Sequence, residues 1–280
     1  MQRAGERTFG EQVRDAVGRL GPLCVGIDPS PALLDLFGLP DDADGLRAFG
    51  AACVEELDGV AAVVKPQVAF FERHGARGLS AFEDVVGLAS GAGMLVIADA
   101  KRGDIGSTTE AYADAWFRGP LAADALTATP YVGVGALLPM VAAARATKKG
   151  VIVVVTSSNP EGRDVQAAVG PDGTTVEASM VRSIGRWNAE EAGGGLGSVG
   201  AVIGATGERP PAGLDAMSGV VLAPGLGAQG ATVADVARRF AHCAPRSVLP
   251  AASRGLLSAG PSGLREAASR LRDDLAGALP

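Results

Sequence analysis

Residues 96–104, Val-Ile-Ala-Asp-Ala-Lys-Arg-Gly-Asp, end a β-type apolar run with two carboxylates and an ammonium at D-x-K-x-x-D spacing. On an extended strand residues two apart share a face, so Asp99 and Lys101 are expected to point the same way while Asp104 returns from the loop beyond. Carboxylates close to a lysine favour its charged form. Held in a cleft, such a cluster is a fixed cation able to stabilise a developing carbanion and then protonate it. By itself a D-x-K pair at a strand end is more often solvated surface, so the chemistry must be supported by its surroundings. The Arg-Gly-Asp tripeptide inside the segment is also a cell-adhesion motif, but it is short enough to recur by chance and requires an extracellular protein.

The chain has 280 residues, 47% of them hydrophobic, enough for one large α/β domain or two modest ones with a full core. A net charge of −6, from 31 acidic against 25 basic residues, argues against a nucleic-acid surface, which normally carries a basic patch. An anionic ligand must therefore be met locally. Cys24, Cys53 and Cys243 are far apart and show no C-x-x-C spacing, so neither a disulfide framework nor a zinc site is suggested and a reducing cytosol fits best. The N-terminus alternates charges, and the purest apolar run, Val151 to Val155, is far too short to span a bilayer, so a soluble, unprocessed cytoplasmic protein is expected. His74 and His242 are the only histidines, which leaves few candidates for a histidine triad or histidine metal ligands.

Elements that could position the charged cluster follow from periodicity. Short β-branched runs alternate with longer Ala/Leu/charged stretches, the signature of βα units around a parallel sheet. Candidate strands are 23–27, 61–65, 94–98, 123–127, 151–156, 198–203, 220–222 and 247–251. Helical stretches are 45–57, 79–90, 107–117, 135–147, 176–191, 233–242 and 263–275, with a further helix near 9–20 before the first strand. Eight βα units in this length predict a single (β/α)8 TIM barrel over residues 1–280, whereas an open doubly wound sheet usually stops earlier. Gly/Pro clusters punctuate the loops; no role can be read for 170–175 or 208–214. Trp116, Trp187 and Tyr131 are expected to serve packing rather than stacking.

A barrel collects its polar residues at the C-terminal strand ends. Those ends carry Gly26-Ile-Asp28, Lys65-Pro-Gln67, Asp99-Ala-Lys101, Thr127-Ala-Thr-Pro-Tyr131, Thr156-Ser-Ser158-Asn-Pro160, Pro224-Gly-Leu-Gly-Ala-Gln229 and Ser253-Arg254-Gly. Each alone reads most simply as a turn or cap, Asp28, Asn159 and Ser253 especially; their convergence on seven strands favours a functional reading. Gly225-Leu-Gly227-Ala-Gln-Gly230 also matches G-x-G-x-x-G, the dinucleotide fingerprint. The following strand, however, ends in Ala-Ala-Ser-Arg254 without the acidic residue that would hold a ribose hydroxyl, although the arginine suits a 2′-phosphate. Glycine-loop amides, Gln229 and a bidentate Arg254 suit a phosphate monoester better, at the place where barrels usually bind one.

Taken together, these segments resemble the orotidine 5′-phosphate decarboxylase family, in its longer bacterial form. The matches run from residue 26 to 255: Gly26-Ile-Asp28-Pro, Lys65-Pro-Gln67, Asp99-Ala-Lys101-Arg-Gly-Asp104-Ile-Gly-Ser-Thr108, Thr156-Ser-Ser158-Asn-Pro160, Pro224-Gly-Leu-Gly-Ala-Gln229-Gly and Ser253-Arg254-Gly. The third is highly specific; the rest are weaker but fall in the family's order.

The resemblance implies cofactor-free, metal-free loss of carbon dioxide from orotidine 5′-monophosphate, giving uridine 5′-monophosphate in pyrimidine biosynthesis. It implies that Lys101 protonates C6 of the pyrimidine, within a charged array of Lys65, Asp99, Lys101 and Asp104. Asp104 is expected from a neighbouring subunit with Ile105 and Thr108 beside it, which makes the protein a homodimer with shared sites. Asp28 and Lys65 look like ribose contacts, Ser158 (or its neighbours Ser157 and Thr156) a pyrimidine amide contact, and Gln229 with Arg254 the phosphate grip, with Pro224 lining the substrate. Three other readings stay open on the residues alone: a metal-dependent relative acting on a sugar phosphate, a silent phosphate-ligand sensor, and an NADP-dependent oxidoreductase.

Overall fold

The computed structural model describes residues 7–207 and 210–279. The charged N-terminal segment up to residue 6, and Glu208 and Arg209 of the 208–214 loop, lie outside the described residues. Eight strands are hydrogen-bonded in sequence order into a closed barrel: β1 Cys24–Ile27, β2 Val63–Pro66, β3 Leu95–Arg102, β4 Ala125–Ala128, β5 Gly150–Thr156, β6 Val199–Ile203, β7 Val221–Pro224 and β8 Val248–Ala252. All pairings are parallel, and β1 closes onto β8 through the registers Cys24 with Ala251 and Val25 with Ala252. This is the expected (β/α)8 barrel.

The strands are buried on both faces, as a parallel sheet wrapped in helices requires. Alternate residues therefore belong to two cores. Val25, Val64, Val96, Ala98, Val151 and Val153 pack outward under the helices, while Cys24, Val63, Ile97, Ala125, Ile152, Val202, Leu222 and Leu249 fill the barrel. The expected N-terminal helix spans Phe9–Leu20 and plugs the bottom of the barrel with Phe9 and Val13, both fully buried. Gly150 makes room for that plug: a Cβ there would lie 2.3 Å from the Phe9 ring.

Most element bounds differ from the sequence expectation by a few residues, but β3 differs in a way that matters. It runs past Ala98 to Arg102, so Asp99 and Lys101 belong to the strand itself. Short helices that the periodicity does not predict follow several strands, including Pro31–Leu36, Val68–Glu72 and Arg254–Leu257, too short for a 3.6-residue pattern to register. Residues 170–175 form a tight turn closed by the Val169–Thr175 bridge, and Thr175 caps the Val176–Ala192 helix by accepting from the Ala178 amide. Trp116 and Trp187 are buried, as expected, whereas Tyr131 is 83% exposed in the loop after β4 and packs no core.

Candidate active site

On β1, β2, β3, β4 and β8 the inward face carries its apolar barrel residue low and a polar or small residue two positions later. Val63 is followed by Lys65 and Gln67, Ile97 by Asp99, Ala125 by Thr127, Cys24 by Gly26 and Asp28, and Leu249 by Ala251 and Ser253. Period two thus converts a dry barrel floor into a polar mouth at the C-terminal strand ends. The mouth is a cavity of about 270 Å³ whose lining includes Asp28, Lys65, Gln67, Asp99, Lys101, Ser157, Ser158, Pro224, Gln229 and Arg254.

Asp99 is its hub. Oδ2 accepts hydrogen bonds from Lys65 Nζ at 2.9 Å and Gln67 Nε2 at 3.0 Å. Oδ1 accepts from Lys101 Nζ at 2.6 Å and Thr127 Oγ1 at 2.9 Å. Burial alone pushes the Asp99 carboxyl up, but the Lys65 ammonium first and the Lys101 ammonium second outweigh it and hold the group well below the usual carboxylate range. Burial pulls the Lys65 ammonium down, and the carboxylates of Asp99 and Asp28 overcome that and raise it above the ordinary lysine value. The Lys65 and Asp99 side chains are nearly inaccessible, whereas that of Lys101 is 51% exposed and reaches into the mouth.

Lys101 does not sit on a plain strand. Its φ of 49° lies in the left-handed region, where the β3–β4 register shifts between Ala98 and Arg102. A non-glycine residue there costs on the order of 1 kcal/mol. Asp99 and Lys101 do meet, through this bulge rather than by simple alternation.

Asp104 does not return to the cavity within one chain. Gly106, at φ 53°, opens the Gly106–Phe117 helix and leads the chain away; Asp104 is half-buried, its carboxylate accepting from the Ile105 amide, and Thr108 is exposed on the helix. Neither lines the cavity. Ile105 is 61% exposed.

The opposite wall is built by β7 and β8. Gly225 adopts φ 115°, and a Cβ there would approach Gln229 Oε1 to 3.1 Å, so a glycine is needed to turn the loop beneath Gln229. Arg254 opens a short helix, is exposed, and has no carboxylate partner among the described residues. Between the walls, Ser157 is tied to Gln166, whose Nε2 donates to its Oγ at 2.9 Å, and Thr156 Oγ1 accepts from the Gly204 amide at 3.2 Å. Ser158 lines the cavity without a side-chain hydrogen bond among the described residues, leaving its hydroxyl available.

Gln67, Thr127 and Ser253 stand in the sequence motifs without an assigned role, yet each holds a cavity carboxylate in the structure. The period-two rule extended one step past Lys65, Ala125 and Ala251 would have found them. Neither His74 nor His242 lines the cavity. All three cysteines are free and buried; burial pushes Cys24 up to about 12 and Cys243 up to about 11, which keeps their thiols unreactive.

A closed parallel barrel with its inward polar groups gathered at the C-terminal strand ends has the anatomy of a TIM-barrel enzyme. Within that class, the sequence profile of the orotidine 5′-phosphate decarboxylase / HUMPS family matches residues 21–270. The chain belongs to this family and is a carboxy-lyase. It is 49% identical to the orotidine 5′-phosphate decarboxylase of Salinispora tropica over 97% of this chain and 98% of the relative. It is also 49% identical to that of Streptomyces coelicolor, over 94% and 95%. Among solved structures it resembles a Streptomyces avermitilis protein described as a candidate for the same decarboxylase, at 45% identity, TM-score 0.89 and 99% coverage of both chains. It also resembles the Leishmania donovani OMP decarboxylase, at 30% identity, TM-score 0.77 and coverage of 97% and 98%.

Proposed function

We propose that this chain decarboxylates orotidine 5′-monophosphate to uridine 5′-monophosphate in the cytoplasm, without cofactor or metal, as the last step of pyrimidine nucleotide synthesis. The observation that carries the reading is that Lys101, backed by Asp99 and Lys65, and Arg254 with Gln229 line one cavity. The two ends of a nucleotide monophosphate, reacting ring and anionic tail, match those two walls. No helix among the described residues is long and apolar enough to cross a membrane.

In this mechanism the C6–carboxylate bond breaks with its electron pair left on C6, and carbon dioxide departs. That pair lies in the ring plane, where no ring carbonyl can drain it, so a preorganised cation is the available stabiliser. Lys101 supplies the charge and then donates a proton to C6, to be reprotonated from solvent through the open mouth. Asp99, fully ionised and saturated by four donors, holds the ammonium in place. Asp28 and Lys65 bind the ribose, Ser158 the pyrimidine amide, and Gln229 and Arg254 the phosphate beside Pro224. Binding energy from the remote phosphate can close the glycine loop and order the charged groups.

Asp104 and Thr108 complete the array from a second copy. Ile105, Tyr131 and Val132 on the loops after β3 and β4, and Leu138 at the start of the Leu138–Ala146 helix, are exposed by 61%, 83%, 50% and 47%, apolar groups suited to a homodimer interface. The decisive experiment is a spectrophotometric assay with orotidine 5′-monophosphate on wild type and Lys101→Ala, with and without EDTA. Turnover that resists chelation and falls at least about 10⁴-fold in the variant is expected. Turnover abolished by EDTA, or retained by a folded Lys101→Ala protein, overturns the reading.

A further inference from the structure

Thr127 is buried at 1% exposure on β4, directly beneath the bulge that carries Lys101. Its hydroxyl does two things at once. It accepts a hydrogen bond from the Lys101 backbone N–H at 3.0 Å, and it donates one to Asp99 Oδ1 at 2.9 Å. The same Oδ1 receives the Lys101 ammonium at 2.6 Å. One hydroxyl therefore fixes both ends of the lysine: the backbone from which the side chain leaves and the counterion on which it rests.

The need for such a fixture follows from the backbone. At φ 49° Lys101 occupies a conformation that a lysine adopts only when its surroundings hold it there. The regular β3–β4 ladder is interrupted at this point, between Ala98 and Arg102, so ladder hydrogen bonding does not supply the restraint. The Thr127 side chain substitutes for the missing partner of the Lys101 amide. A hydroxyl is the group required, since it can accept from the amide and donate to the carboxylate simultaneously.

We propose that Thr127 is a positioning residue for the proton donor: its hydroxyl locks the left-handed backbone of Lys101 and the carboxylate of Asp99 into one rigid unit, aiming the ammonium at the reacting carbon. This rests on the decarboxylase reading above, in which Lys101 is the donor. Thr127 touches no substrate in this scheme and is absent from the cavity lining. Its effect falls on the chemical step rather than on ligand binding, because the phosphate and ribose contacts come from β1, β2, β7 and β8.

The test compares kcat and KM for orotidine 5′-monophosphate in wild type, Thr127→Val, Thr127→Ser and Thr127→Ala, with thermal unfolding measured alongside. Val keeps the shape and removes the hydroxyl; Ser keeps the hydroxyl. Expected is a loss in kcat on the order of 100-fold for Val, with KM within about threefold of wild type, and recovery to within about fivefold of wild type in Ser. Ala, where water can take the hydroxyl's place, is expected between the two and serves if Val does not fold. A folded Val or Ala variant with wild-type kcat overturns the proposal. So does a Ser variant as slow as Ala, which would mean that the methyl group's packing matters and not the hydroxyl. Failure of wild type itself to turn over the nucleotide would instead sink the decarboxylase reading, so the two failures are separable.

Discussion

Ser253 Oγ donates a hydrogen bond to Asp28 Oδ2 at 2.5 Å, joining residues 225 apart in sequence across the seam where the barrel closes. Gly26 makes the approach possible, since a Cβ there would stand 2.7 Å from Ser253 Cβ. The other oxygen of Asp28 is buried with no partner among the described residues. A buried carboxylate oxygen left unsatisfied is costly, and a ligand hydroxyl would relieve it. Ser253→Ala frees the carboxylate to turn and is expected to raise KM by roughly tenfold, the worth of one hydrogen bond to a charged group. Steady-state kinetics check this; a KM unchanged from wild type would show that Asp28 needs no such anchor.

Arg254 has no ion pair at the mouth among the described residues, so its removal breaks no such contact there. Arg254→Ala is expected to weaken nucleotide binding by about 3 kcal/mol, on the order of 100-fold, with the melting temperature unchanged. Part of the loss should appear in kcat, because remote binding energy orders the charged groups. Calorimetric titration with uridine 5′-monophosphate and turnover of the substrate measure the two parts.

The proposed sharing of sites between two copies makes a sharp prediction for mixed dimers. Lys101→Ala and Asp104→Ala are each expected to be inactive if, as proposed, the lysine and the aspartate of one site come from different copies. When the two variants are unfolded together and refolded as a mixture, half of the dimers should be hybrids, each with one intact site, so activity should return to about one quarter of wild type. No recovery, with exchange verified by a size tag, would place both residues in the same copy's site.

Asp99 and Lys65 make acid stability predictable. Asp99 has a folded-state pKa below its unfolded value near 3.9, so its contribution is present above about pH 4 and is lost only as pH falls through the lower folded value. Lys65 is shifted upward, so its contribution is full below its unfolded value near 10.4 and is lost as pH rises through the folded one. Asp99→Asn removes one partner of a buried pair and is expected to cost about 3 kcal/mol. Urea unfolding should show that deficit constant from about pH 5 to 8 and shrinking below about pH 4. A deficit that varies steeply between pH 5 and 8 would contradict the pairing.

Much of this site is legible in sequence because strand periodicity is local. Val63 to Lys65 and Ile97 to Asp99 are two-residue steps on one face, and any reader of the alternation finds the polar mouth above the apolar floor. What the alternation misses is the bulge. The left-handed turn at Lys101 is a compromise between β3 and β4, and it shows in neither strand alone. Gln67, Thr127 and Ser253 look like ordinary turn and cap residues until the carboxylates they serve, 32, 28 and 225 residues away, are brought to them. Tyr131, for which the sequence suggests packing rather than stacking, is exposed on a surface loop and packs against no core.

The chain by itself determined the eight βα units, the acidic and basic groups at their ends, and the family to which they belong, because each of these is written in residues that are neighbours along the backbone. Closure of the barrel decided the rest: which oxygen of Asp99 faces which donor, which serine of the 156–158 run is free, and that Asp104 is not among the residues lining its own chain's cavity. Those are distances between residues far apart in sequence, and side-chain packing in three dimensions fixes them.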